Sequence, residues 1–127
     1  MTPTFLTVAT VEALHALSIE VFGGSGGLRD RRLLESAVAQ PRTGFGDQYA
    51  YGFPAGMASA YVFGLVRNHP FVDGNKRVAA AALGVFVEQN GCSLQIEDDD
   101  LVACILAVAT GQMTRSELEL FLATVIR

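Results

Sequence analysis

Residues 67–91 read RNHPFVDGNKRVAAAALGVFVEQNG. His69, Pro70, Asp73, Gly74 and then Asn75, Lys76 and Arg77 crowd one short turn, and a segment almost free of polar side chains follows it. From Asn75 to Asn90 apolar residues fall on every side of a helical wheel, as expected of a helix buried at the centre of a domain, with Gly91 as its stop.

A central helix needs others to cover it, and the flanking segments read mainly as helices. The first takes Thr10 as its cap and Glu12 in its first turn, carries Val11, Leu14, Leu17, Val21 and Phe22, and stops at Gly23 and Gly24. Asp30 caps a short helix with Leu33, Leu34, Ala37 and Val38 inside, ended by Pro41. Pro54 at a first helical position opens another, through Met57, Tyr61, Leu65 and Val66 to about Asn68. Asp98 to Asp100 head an apolar helix that ends at Gly111, and Thr114 with Glu117 forms a capping box for the last one. Residues 42–53, RTGFGDQYAYGF, alternate aromatic with small or polar residues and predict an exposed flap or small hairpin. The pattern as a whole predicts one all-α domain over residues 1–127, wrapped around a central buried helix and carrying a short flap.

Composition narrows the function classes. A chain of 127 residues supports one hydrophobic core but not two. The longest uncharged apolar run, Val78 to Val87, is ten residues, about half of the roughly 20 that span a bilayer, and MTPTFLTVAT lacks the basic start and apolar stretch of a signal peptide. Cys92 and Cys104 form neither a disulfide framework nor a zinc-site spacing, so free thiols and a cytoplasmic location are expected. A net charge of −4 offers no general footprint for nucleic acid, and no direct nucleic-acid binding is expected. Lys76 is the only lysine beside eight arginines, which marks a place where a compact point charge is wanted.

The N-terminus of a buried helix exposes backbone N–H groups at the positive end of its dipole and so attracts anions. Here that end is entered through Gly74 and lined by Asn75, Lys76 and Arg77, which suits phosphate. Asp73 would repel a bare polyphosphate but serves as ligand to a magnesium ion carried by one. Histidine is the residue type most used as a general base, and His69 suits that role toward an incoming hydroxyl. Phe71 is the apolar anchor of the turn. Capping alone does not explain so many functional groups in one turn, and together they describe a nucleotide-dependent transferase site.

HPFVDGNKR resembles the Fic motif, His-Pro-Phe, two positions, Gly-Asn-Gly-Arg, and resembles more closely that of the death-on-curing (Doc) toxins, where Lys replaces the second motif glycine as Lys76 does here. ALHALSIEVFGG, GGLRDRRLLESAVAQP, VATGQMTRSELELFL and the Asn90-Gly91 stop are similar to Doc sequences too, so the likeness covers nearly the whole chain. It implies a Fic/Doc-like helical fold and a toxin of a toxin–antitoxin module. As in Doc, the activity implied is that of a protein kinase moving the γ-phosphate of ATP, with Mg2+, to a threonine of elongation factor Tu. By position, His69 is the base and Asp73 the magnesium and positioning residue, while Gly74, Asn75, Lys76 and Arg77 bind the nucleotide phosphates. Fic relatives transfer AMP instead, and that remains the alternative, beside a non-catalytic partner-binding domain of the same fold. The second motif arginine of AMP transferases would fall at Ala80, which favours the Doc side. No glutamate in these residues is followed by Gly or Asn, as in the inhibitory helix of many Fic proteins, so restraint is expected from a Phd-like antitoxin acting in trans.

Five further features have their own readings. GGSGG at 23–27 lacks the following Lys-Ser or Lys-Thr and the preceding strand of a phosphate loop and is expected to be a flexible connection. His15 is expected to be a packing residue of the first helix, and the acids at 97–100 to serve helix capping. Arg67 either adds charge to the site or simply stabilises the end of its helix. The flap either receives a target peptide or packs down on the domain.

Overall fold

The computed structural model describes residues 2–127 and consists of six α-helices, one short 3-10 helix (Gln40–Arg42) that carries α2 on through Pro41, and a two-stranded hairpin: α1 (Val8–Phe22), α2 (Arg31–Ala39), β1 (Gly44–Phe45), β2 (Gln48–Tyr49), α3 (Ala55–Asn68), α4 (Asn75–Gln89), α5 (Asp98–Ala109) and α6 (Arg115–Val125). The all-α expectation holds, and the flap is the one hairpin among the described residues. No helix among them is long and apolar enough to cross a membrane.

Helix starts follow side-chain chemistry. Thr7, not Thr10, caps α1, because its hydroxyl accepts the Thr10 N–H at 3.1 Å; Thr10 lies in the first turn and bonds the Thr7 hydroxyl. Both threonines fit a cap by type, and only the extended backbone of Thr7 selects it. Asp30 caps α2 through Leu33 N–H, and Thr114 with Glu117 forms the expected capping box of α6. Pro54 is the cap residue of α3 and Ala55 its first helical position, one residue later than expected. Asp98, Asp99 and Asp100 fill the first turn of α5 without a side-chain capping bond, so they act there through the helix dipole.

Two helices share the centre. α3 is buried continuously from Gly56 to Val62 and again at Leu65 and Val66, which exceeds the burial of α4. Gly64 allows α3 to press on α2: a Cβ there would stand 3.2 Å from the Cα and Cβ of Ala37. α4 packs beside α3 with Val78, Ala79, Ala82, Leu83, Phe86 and Val87 inside. Its remaining face, including Ala80 and Ala81, is only partly covered. Phe86 sits among Tyr61, Phe53 and Phe5, and the Tyr61 hydroxyl accepts the Leu6 N–H at 2.9 Å, tying the N-terminal segment to the core.

The flap divides its aromatics. Phe45 is 92% exposed, whereas Tyr49 meets Phe5 edge-on, Tyr51 accepts a bond from Gln40, and Phe53 packs on Phe86. Three of the four aromatic residues therefore hold the flap to the domain and leave its tip bare.

The turn between α3 and α4 is locked from inside. Asn75 is 4% exposed; its side-chain carbonyl accepts Phe71 N–H and its amide donates to Phe71 C=O, both at 2.9 Å. An Asn75→Ala substitution strands both buried backbone groups, and we expect a loss of about 2 kcal/mol or more in stability, read as a lowered midpoint in urea. A midpoint unchanged from the parent would mean that these bonds do not hold the turn.

Candidate functional site

The site is the turn itself and the segments stitched to it. α3 ends at His69, whose backbone takes the left-handed conformation (φ 51°, ψ 55°), a costly one for a residue other than glycine. Arg29 maintains it: its guanidinium donates to the carbonyls of His69 (2.7 Å) and Asn68 (2.8 Å), while Asn68 donates to Leu33 C=O on α2. The His69 ring is left exposed at the end of α3. Nothing in the periodicity around Arg29 marks this task, which only a contact across 40 positions reveals.

The chain then runs through buried Pro70 and Phe71 to Asp73 and Gly74. Gly74 adopts φ 80°, turning the backbone so that α4 begins at Asn75. The first intrahelical bond is Val78 N–H to Gly74 C=O, so the N–H groups of Asn75, Lys76 and Arg77 lie ahead of it at the positive end of the helix dipole. Lys76 is exposed beside them. The Asn75 side chain is engaged with Phe71, which leaves its backbone N–H as what it can offer an anion. Arg77 donates from Nη2 to Gly23 C=O at 2.9 Å and lies 5.8 Å over the Phe22 ring, so α1 holds it at the rim.

Asp73 is solvent-exposed, yet both carboxylate oxygens are oriented: Gly74 N–H donates to one at 2.8 Å and Ser25 N–H to the other at 3.2 Å. These bonds, first from Ser25 and then from Gly74, with Arg77 nearby, hold its carboxyl below the usual aspartate range. It is therefore ionised at any physiological pH and keeps lone pairs free for a cation. No cluster of three or more metal-binding side chains exists among the described residues, so a metal held here would need other ligands, and phosphate oxygens are the natural ones.

Two sequence expectations change in detail. GGSGG is not a loose connection: Ser25 bonds Asp73, Gly27 C=O accepts Val72 N–H, and Leu28 bridges Phe71 antiparallel, so this segment forms a wall of the site. Gly24 is needed there for close approach, since a Cβ would stand 2.6 Å from Asp73 Oδ2, and Gly23 and Gly27 adopt positive φ, which composition cannot distinguish from slack. His15 packs, as expected, but it also reaches Asp73: its ring stacks on Phe71 at 3.8 Å and its Nε2 bonds the Asp73 carbonyl at 2.7 Å. Arg67 turns the other way, toward Val108 C=O and the Phe63 ring, and so serves the junction of α3 with α5.

Next to this turn, α1, α4 and α5 bound an apolar groove of about 810 Å³. Leu17, Val21, Phe22, Val102 and Leu106 face it and are each at least half exposed, and Lys76 and Arg77 border it. A second cavity, between α5 and α6, includes buried Cys104, whose thiol is pushed up by burial and contacts the Met113 sulfur at 3.8 Å.

Comparison with known proteins agrees with this architecture. Over 88 residues, 69% of this chain and 67% of the other protein, the sequence is 42% identical to Toxin Doc of Mycolicibacterium smegmatis. Residues 5–87, which run from the N-terminal segment through the end of the core of α4, match the model of the Fic/DOC family. The stretch so matched contains every residue of the turn just described, and the chain belongs to the Fic/DOC family.

Proposed function

We propose that this chain is the toxin of a cytoplasmic toxin–antitoxin module and acts as a protein kinase of Doc type, with ATP and Mg2+ as phosphate donor and metal and a hydroxyl of a translation factor, a threonine of elongation factor Tu, as acceptor. The observation that carries a phosphoryl-transfer site is the open N-terminus of α4 placed directly after an ionised, oriented Asp73 and an exposed His69. Lys76 in the cradle and Ala80 in place of a second arginine support γ-phosphate rather than AMP transfer. Toxin Doc of M. smegmatis supports the toxin assignment through its likeness to this chain.

In this mechanism His69 takes the proton of the attacking hydroxyl as its oxygen bonds to the γ-phosphorus, and the bond from that phosphorus to the β–γ bridging oxygen breaks to release ADP. Charge gathered on the transferred group meets Lys76, Arg77 and the N–H groups at the start of α4. Asp73 would hold the metal, which would supply positive charge against the phosphates. The left-handed backbone of His69, held by Arg29, fixes where the base leaves the end of α3.

Restraint by an antitoxin fits the groove between α1, α4 and α5. Its apolar walls suit an amphipathic segment that folds on binding, and its border at Lys76 and Arg77 places such a segment against the phosphate cradle.

His69→Ala should lower phosphate transfer by about 100-fold or more without altering the far-ultraviolet spectrum, and a folded variant with full activity would rule out this base. Supplying ATP labelled at the α or the γ position distinguishes the chemistries: γ-label alone should reach the target, and α-label appearing there would establish AMP transfer instead. No label transferred from either, with magnesium present and elongation factor Tu or a whole lysate as acceptor, would leave a partner-binding domain. Lys76→Gly should reduce γ-transfer, because it widens the cradle and removes its point charge; a rate equal to the parent's would show that Lys76 does not present the phosphate.

A further inference from the structure

His15 is 4% exposed on the buried face of α1, between Val11 and Ser18, where a leucine or phenylalanine would fill the space without the cost of burying a polar ring. Its ring lies nearly parallel to Phe71, 8° between planes and 3.8 Å between centroids. Its Nε2 stands 2.7 Å from the Asp73 carbonyl oxygen, and since a carbonyl only accepts, Nε2 carries the proton. The one polar contact of this buried side chain is therefore aimed at the backbone of the residue that the mechanism above assigns to the metal.

We propose that His15 is a positioning residue for Asp73, one half of a clasp formed by α1 and the glycine-rich segment after it. His15 grips the Asp73 backbone, and Ser25 N–H grips its carboxylate from the opposite end of the same connection. Gly74 N–H, from the turn itself, takes the other oxygen, so three contacts fix one residue, two on its carboxylate and one on its backbone carbonyl. The clasp is tight enough to demand glycine: at Gly24 (φ +113°) a Cβ would stand 2.6 Å from Asp73 Oδ2 and 3.0 Å from Arg77 Nη2. α1 thus orients both the carboxylate and, through Gly23 C=O, the rim arginine before any ligand arrives. Such preorganisation removes the reorientation cost from metal and nucleotide binding.

This inference rests on Asp73 being the metal residue, and calorimetry separates the two claims. The measured quantity is the gain in affinity for a non-hydrolysable ATP analogue on adding magnesium, compared with chelator, together with thermal stability. Asp73→Asn should abolish the gain. His15→Phe keeps a ring to stack on Phe71 but loses the donor, and should cut the gain about tenfold while leaving metal-free affinity unchanged. His15→Gln, which keeps a donor, should recover it to within about threefold, a rescue that a purely structural role does not predict. Gly24→Ala should also cut the gain by displacing the carboxylate from the other side, with a loss of metal-free affinity besides, because its Cβ crowds Arg77 Nη2 as well.

If His15→Phe retains the parent's gain while Asp73→Asn loses it, the positioning role is wrong and the metal residue stands. If Asp73→Asn retains the gain, the assignment of Asp73 fails and takes this inference with it. Should His15→Phe not fold, Gly24→Ala still applies, and nitrogen-15 spectra of the parent protein test the tautomer directly: a His15 ring protonated on Nδ1 and bare at Nε2 overturns the proposal.

Discussion

The pair of hydrogen bonds between the Asn75 side chain and the backbone of Phe71 is the constraint from which the rest follows. Phe71 is buried and cannot leave the core without exposing its ring, and Asn75 is the first residue of α4. Joining the two fixes the direction in which α4 leaves the turn. Asp73 and Gly74 are then obliged to bulge outward, because the chain must pass from Phe71 to Asn75 while both ends are held inside. The exposed carboxylate and the open helix N-terminus are the outer side of a turn whose inner side is saturated with hydrogen bonds.

Much of this was legible because it is local. Helix periodicity, caps at Asp30 and Thr114, and glycine stops at Gly23, Gly91 and Gly111 each depend on a few neighbouring residues, and the helices fall where those signals stand. α1 starts about one turn before Thr10, and since Thr7 and Thr10 have identical side chains, only the backbone distinguishes them. The residues from His69 to Arg77 are contiguous, so their proximity needed no fold at all. What stayed hidden are contacts across long separations: Arg29 on the His69 carbonyl, Ser25 on the Asp73 carboxylate, His15 on the Asp73 carbonyl. Each involves a backbone group, and backbone groups leave no trace in a residue pattern. The inward turn of Asn75 was equally invisible, since an asparagine at a helix start suits a ligand contact and a brace alike.

The electrostatics are local as well. A chain with net charge −4 concentrates Lys76, Arg77 and the positive end of the α4 dipole at one edge, while Asp98, Asp99 and Asp100 fill the first turn of α5, Asp98 lining the same groove as the two cations. At physiological ionic strength fields fade over about 8 Å, so the balance at this edge and not the overall sign governs what approaches it. Under the proposed function this cationic edge suits a phosphate that fits between Asp73 and the helix, whatever the overall charge.

α1 stands between the two surfaces that matter. Its inner side carries His15 against Phe71 and Asp73; its outer side presents Leu17, Val21 and Phe22 to the groove. At its C-terminal end the two sides meet, for Gly23 C=O accepts from Arg77 while the Phe22 ring, 72% exposed, lies under the same guanidinium. Under the toxin assignment, a segment that covers Phe22 desolvates Arg77 at the same time, and a buried guanidinium seeks a carboxylate or further carbonyls. A partner supplying such a group satisfies Arg77 where it now rests and competes with a nucleotide phosphate for it. Occupation of the groove and loss of a phosphate contact are then one event at one side chain, and restraint of the site requires neither unfolding of the turn nor movement of α4.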